Sequence, residues 1–161
     1  MTTTAMGSMT FEQTFTAFKF YEEAAEKAKA HAWSQTTWLL AINTGLFAFS
    51  VNFYAQHRNL PGFLLIEFIT AGVGVVLCAF LLYLLDELGG HISHYWTTSN
   101  KLAAENPPLV GFISAKDALA VREPGYHAPF PPFCRRLQCL AGLFLAAHLG
   151  WAVVVAYLGR A

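Results

Sequence analysis

Charged side chains are scarce in this chain. They make up 12% of its 161 residues, against roughly 25% in an ordinary soluble domain. Ten basic groups balance ten acidic ones, so there is no basic field to hold a nucleic acid and no nucleic-acid partner is expected. Cysteine is short as well. The thiols number three: Cys78 lies inside an apolar run, and Cys134 and Cys139 flank the start of another. Neither a disulfide framework nor a zinc-type spacing can be built from them, which fits reduced thiols on a cytoplasmic or bilayer side. A glycine-rich phosphate loop, a GxSxG elbow, a Cys/His nucleophile pair and an aligned carboxylate dyad are all missing. The chain is therefore expected to be non-enzymatic, and no cofactor is expected.

Long apolar runs stand in their place. The strongest, GFLLIEFITAGVGVVLCAFLLYLL, extends from Gly62 to Leu85 with Glu67 as its single charge and no proline. As a helix it would be roughly 36 Å long at about 1.5 Å per residue, enough to cross a hydrocarbon core of about 30 Å with some tilt. A buried helix of a soluble domain seldom stays apolar over that length. A second run, Trp38 to Tyr54, is short for a span and holds Asn43 and Asn52. Trp33, Trp38 and Tyr54 nevertheless mark its ends as aromatic belts do. The polar link AQHRNLP makes sense as a tight turn between two antiparallel spans, with Pro61 just ahead of the second helix. A third run, Leu137 to Leu158, follows Arg135 and Arg136 and carries Gln138 and His148. The expected fold is an all-α integral membrane protein: a single membrane domain over 10–161 with three transmembrane helices near 38–54, 62–85 and 137–158. The lipid bilayer is its first partner.

The remaining segments are read by composition. Residues 1–9 are small and uncharged and read as disordered; they lack the basic start and apolar run of a secretory signal. Thr10 to Trp33 reads as an amphipathic helix opened by a Thr10/Gln13 capping box. Phe11, Phe15 and Phe18 share one face, and Lys19–Glu23 and Glu23–Lys27 pair on the wetter side. This helix either lies on a membrane or partner surface, or extends the first span into water. Asp86 and Glu87 end the central run, and Gly89–Gly90 allow a bend or a break before His91 to Ala104 resume as helix. Six of the seven prolines fall at 107, 108, 124, 129, 131 and 132. The part of the connector 86–136 from Asn106 to Pro132 should therefore have little regular structure, apart from a short helix, SAKDALAV, capped by Ser114. A protein partner docking on the N-terminal helix or on this connector is a further expectation.

Orientation follows from the basic residues. Lys19, Lys27, Lys29, Lys101, Lys116, Arg122, Arg135 and Arg136 lie on the side of the N-terminus and connector, and only Arg58 and Arg160 on the other. That bias places the N-terminus and connector in the cytoplasm and the C-terminus outside.

Each span carries small or polar residues at helical spacing: Ala41, Gly45, Ala48 and Asn52; Glu67, Thr70, Gly74 and Cys78; Gly142, Ala146 and Gly150. Such stripes let backbones approach closely in lipid, either within one chain or between copies in a homo-oligomer. Glu67 is the most telling residue, because a charge inside a span costs a few kcal/mol and must be neutral, paired or wet. Asn52 at similar depth and Arg58 in the turn are its expected partners. Asn43 and His148 are the other intramembrane polar candidates, the imidazole reading more as a structural group than as a haem or metal ligand. Glu87, His91 and His94 have i, i+4, i+7 spacing, a weak metal-site candidate interrupted by the two glycines.

Residues 10–104, read as amphipathic helix, span, tight turn, span and cytoplasmic helix, resemble the small two-span effectors of bacterial conflict systems, the SLATT group. That resemblance implies an inner-membrane protein that oligomerises and breaches the membrane on a signal. The third span departs from the two-span plan, and no family site residues carry over. The leading expectation is a homo-oligomer that forms or gates an ion or small-solute pathway. A subunit of a haem- or metal-handling complex and a passive scaffold are the alternatives.

Overall fold

The computed structural model describes residues 10–123 and 125–158, and among them every regular element is helical. The expectations for 1–9 and for Arg160 lie outside the described residues. Helix α1 runs Phe11–His57, α2 runs Phe63–Glu105, a 3₁₀ segment spans Pro107–Phe112, α3 is Ala115–Ala120 and α4 is Pro132–Leu158. Three of them, α1, α2 and α4, are long and apolar enough to cross a membrane.

The ends of these helices follow from their sequence. Thr10 and Gln13 form the expected capping box: the Thr10 N–H donates to Gln13 Oε1 at 3.0 Å and the Gln13 N–H to Thr10 Oγ1 at 3.3 Å. The turn between α1 and α2 closes through the Leu60 N–H to the His57 carbonyl, 2.9 Å. Gly62 leaves that turn at φ 82°, a left-handed conformation that suits glycine. Ser114 caps α3 by accepting from the Asp117 N–H at 3.1 Å, and Pro132 opens α4, where its missing N–H leaves nothing unsatisfied.

Of the two readings of the amphipathic helix, the one in which it extends the first span is met, since both lie on one continuous α1. Two other boundaries differ from those read in the sequence. The Gly89–Gly90 pair does not break α2, which continues to Glu105. Two helical glycines cost about 1 kcal/mol each, while Leu85 and Ile92 on either side are fully buried and packing outweighs that cost. Helix over 91–104 is present as expected, within α2, and the short helix capped by Ser114 forms as α3; the 3₁₀ segment precedes it, and α4 begins at Pro132 rather than at 137.

The described residues divide into two compact units, one made of those within 1–29 and 90–130 and the other of those within 30–89 and 131–161. The first is termed the loop-bearing unit. Its core is Phe18 of α1, Ala103 of α2 and Leu109, with Ile113 packed on them. The second is the three-helix unit, whose core cluster joins Ala32, Leu81, Leu85, Leu137 and Ala141.

In the three-helix unit the buried positions recur as a bundle seam requires. On α2 they are Phe63, Glu67, Thr70, Ala71, Gly74, Cys78, Leu81, Leu85 and Gly89; on α4 they are Cys134, Leu137, Ala141, His148 and Val155. On α1 they are Ala32, Thr36, Asn43 and Ser50, the last three at seven-residue spacing. Large apolar side chains such as Leu65, Ile69, Val76, Leu143 and Val153 turn outward instead.

Candidate functional site, a polar seam inside the three-helix unit

Glu67 is the only charged residue of the central apolar run, and α2 turns it inward, leaving it 2% exposed. One carboxylate oxygen, Oε2, accepts from the Ser50 hydroxyl of α1 at 2.6 Å and from the Trp151 indole N–H of α4 at 3.1 Å. All three helices thus meet at one oxygen. The other oxygen, Oε1, is buried without a partner. The expected pairing with Asn52 is not formed. Asn52 is exposed and its Oδ1 accepts from Gln56 at 2.9 Å on the same helix. Nor is Arg58 a counter-ion: among the described residues the ion pairs are Lys19–Glu23 and Lys29–Glu26. Ser50 takes the place assigned to Asn52 because it lies seven residues from Asn43 and so on the buried face. Asn52, two residues on, is turned about 200° away.

One turn along the seam sits His148, 1% exposed. Its ring packs edge-on against Phe47, centroids 5.7 Å apart, and Phe47 and Trp151 meet at 6.0 Å. A Cβ added at Gly74 would overlap the imidazole, so the glycine is the seat of the histidine. The Nε2 atom of His148 is buried and unpartnered. Further on, the Cys78 thiol donates to Asn43 Oδ1 at 3.3 Å, and Asn43 Nδ2 donates to the Leu39 carbonyl at 2.8 Å. Thr70 satisfies its hydroxyl on the Ile66 carbonyl at 2.9 Å, whereas Thr36 Oγ1 is buried without a partner. The seam is closed beyond Asn43 and Cys78 by the apolar cluster of Leu81, Leu85, Leu137 and Ala141.

The structure therefore gathers Glu67, His148, Asn43, Thr70 and Gly74 of the predicted set into one seam. It leaves out Asn52 and separates off the other small-residue stripes. Ala41, Gly45, Ala48, Ala146 and Gly150 are exposed and Gly142 is half-buried. Cβ atoms at Gly45, Gly142 and Gly150 would meet nothing within 4 Å, so these three do not serve close helix packing within the chain. Sequence reasoning missed Ser50, Trp151 and Thr36. The readable signal for Thr36 and Ser50 was their seven-residue spacing from Asn43.

A bound metal or haem fits these residues poorly. His148 is wedged between Gly74 and Phe47, with no second donor of its kind beside it. Glu87, His91 and His94 are exposed on α2, and both histidine rings lie against Tyr95, at 6.4 and 6.1 Å. Among the described residues no group of three or more His, Cys, Asp or Glu side chains comes together to hold a metal ion.

No family model matches the chain, and neither the curated proteins nor the solved structures contain a significant match to it.

Proposed function

We propose that this chain is an integral membrane protein that assembles with copies of itself and forms or gates an ion or small-solute pathway, without a catalytic step. The observation that carries the reading is Glu67: a carboxylate in the middle of three apolar-clad helices, with one oxygen shared by α1 and α4 and the other unpartnered. Polar groups inside a membrane bundle are expensive and mark pathways or relays more often than plain packing does. His148 and Asn43 extend the same polar seam, and the apolar cluster around Leu81 and Leu85 is suited to act as its gate. The open small-residue stripes of α1 and α4 supply faces on which helices of neighbouring copies can approach. The resemblance of residues 10–104 to the SLATT effectors points the same way, toward a membrane-perturbing role in a bacterial inner membrane.

The test is direct. The purified chain reconstituted in liposomes should pass ions, and its size in mild detergent should exceed one protomer. Glu67→Gln keeps the shape and part of the hydrogen bonding but removes the charge; it should assemble normally and conduct differently. A monomer with no flux, or a Glu67→Gln variant with wild-type flux, sinks the proposal. Orientation is read separately: cysteines introduced at Arg58 and Lys116 should react with an impermeant thiol reagent at position 58 alone, if the basic connector is cytoplasmic.

A further inference from the structure

The loop-bearing unit holds a cavity that the membrane reading leaves without a role. Its volume is about 290 Å³, and its lining includes Glu22 of α1, Trp96 and Asn100 of α2, and Phe112, Asp117 and Ala128 of the connector. That is the lower end of the size range of small-ligand pockets. Ala128 is held against α2 by hydrogen bonds. The Ser93 hydroxyl donates to the Ala128 carbonyl, and the Ala128 N–H donates to Thr97 Oγ1 at 2.8 Å. Asn100 Nδ2 donates to the Tyr126 hydroxyl at 2.9 Å. The cavity is thus braced by the chain's own polar contacts.

Its chemistry is one-sided. Glu22 and Asp117 are half-buried, and neither belongs to the ion pairs found among the described residues. Asp117 Oδ2 accepts from the Ser114 hydroxyl at 2.6 Å, a neutral donor that leaves its charge uncompensated. Tyr126 feels that charge: burial first, and then the Asp117 carboxylate, push its hydroxyl above the ordinary value, against the lowering effect of Asn100. The aromatic wall accepts cations. Lys29 Nζ already rests 4.8 Å from the centroid of the Trp96 ring, within cation–π range. Two uncompensated carboxylates beside an indole and a phenyl ring select a positive group on a short apolar stem.

We propose that this cavity binds an organic cation, an alkylammonium or guanidinium group, with Glu22 and Asp117 balancing its charge and Trp96 and Phe112 covering its stem. The cation is either a free small amine or the side chain of a lysine or arginine on a protein partner. Titration calorimetry on the full chain in detergent distinguishes these sources, using agmatine, 1,4-butanediol as its uncharged counterpart, and a blocked Gly-Arg-Gly peptide. Saturable binding of agmatine assigns a free amine; binding of the peptide without agmatine assigns a partner's side chain. In either case butanediol should not bind, and Glu22→Gln with Asp117→Asn should weaken the cation at least tenfold. Glu12→Gln, a carboxylate outside this cavity, should leave affinity unchanged. Should the double variant lose helix content by circular dichroism, Glu22→Gln alone reads the same site. Absence of saturable binding by either cation, binding of butanediol equal to that of agmatine, or undiminished affinity in the carboxylate variant overturns the proposal.

Discussion

In the three-helix unit the outward positions of α2 and α4 are Leu65, Ile69, Val76, Leu143 and Val153, while Glu67, His148, Asn43, Ser50 and Thr36 are turned inward. In the loop-bearing unit Phe11, Phe20, Phe112 and Leu119 are exposed as well, but charged side chains share the surface with them. Glu12, Lys19, Glu23, Glu26, Lys27, Lys101 and Lys116 are exposed, and the core is Phe18, Ala103 and Leu109. The same two helices, α1 and α2, take part in both patterns. Burial removes whatever the surrounding solvent tolerates least, so a helix whose apolar face turns outward is matched to lipid and one whose charged face turns outward is matched to water. On the proposed membrane placement, the change of pattern along α1 and α2 is a change of solvent within single helices.

The comparison breaks most visibly if the outer face of the three-helix unit is charged. Val76 is 67% exposed near the middle of the central span. Arginine at such a position costs roughly 2.5–3.5 kcal/mol in apparent insertion energy, so Val76→Arg should cut membrane insertion by about a hundredfold. Lys19→Leu, at an exposed position of the loop-bearing unit, should leave insertion within about 0.5 kcal/mol of wild type. Glycosylation-tag or protease-protection assays of insertion read both; equal effects would mean that the two surfaces face the same solvent.

The next effect concerns packing inside the seam. Gly74→Leu forces four carbons into the His148 ring, and overpacking of this kind costs about 1–3 kcal/mol. Gly45→Leu adds the same atoms at an exposed position where a Cβ meets nothing within 4 Å, and should not destabilise the protomer, since leucine suits a helix better than glycine. Thermal unfolding in detergent measures the difference. Pairing the leucine with His148→Ala should restore much of the loss, as expected for two groups that compete for one space.

How far the residues announced this arrangement depends on which force decides each feature. The three apolar runs were legible because hydropathy over a span needs no knowledge of partners, and the Thr10/Gln13 and Ser114 caps because they are local. Gly89–Gly90 misled, because a propensity of about 1 kcal/mol per glycine is overridden by tertiary burial of Leu85 and Ile92. The site was legible in its residue types but not in its pairings. Glu67 was identifiable as the one charge in a span, yet its partner depended on helical phase, and Ser50 rather than Asn52 has the phase of Asn43. Trp151 read as one more apolar ring, because nothing in the sequence tells which way its indole N–H points. The stripe Ala41, Gly45, Ala48 was recognised as small but lies opposite the seam that α1 uses.

A weaker test sits in the loop-bearing unit, where water should leave ordinary rules intact. Ser114 caps a helix of six residues, and Ser114→Ala removes the acceptor for the Asp117 N–H. The usual loss for such a cap is about 1 kcal/mol. The change should loosen the connector in hydrogen exchange around 114–120 and leave Gly74, His148 and their neighbours protected as before. Uniform deprotection across α2 and α4 would show that the two units do not keep separate local stabilities.

The smallest effect expected is a pH effect confined to the same unit. Tyr126 is half-buried, and burial, followed by the Asp117 carboxylate, raises its pKa above the ordinary 10.0. A group whose folded pKa lies above its unfolded one contributes stability that is fully present below the unfolded value and fades as pH rises toward the folded one. In the window just above pH 10 the unfolded chain has released this proton and the folded chain still holds it, so the slope of stability against pH is negative. Local protection of residues 93–100 and 126–128 in hydrogen exchange should therefore fall on the alkaline side once the intrinsic rate is divided out. Tyr126→Phe carries no such proton and should show a flatter alkaline limb, and Asp117→Asn should shorten the limb, because without that charge the folded pKa falls back toward the unfolded one. The three-helix unit has no stake in this titration, so protection at Asn43 and Cys78 should stay level across the window. An alkaline limb identical in wild type and Tyr126→Phe would assign the loss to some other group and remove Tyr126, the hydrogen-bond partner of Asn100, from the account.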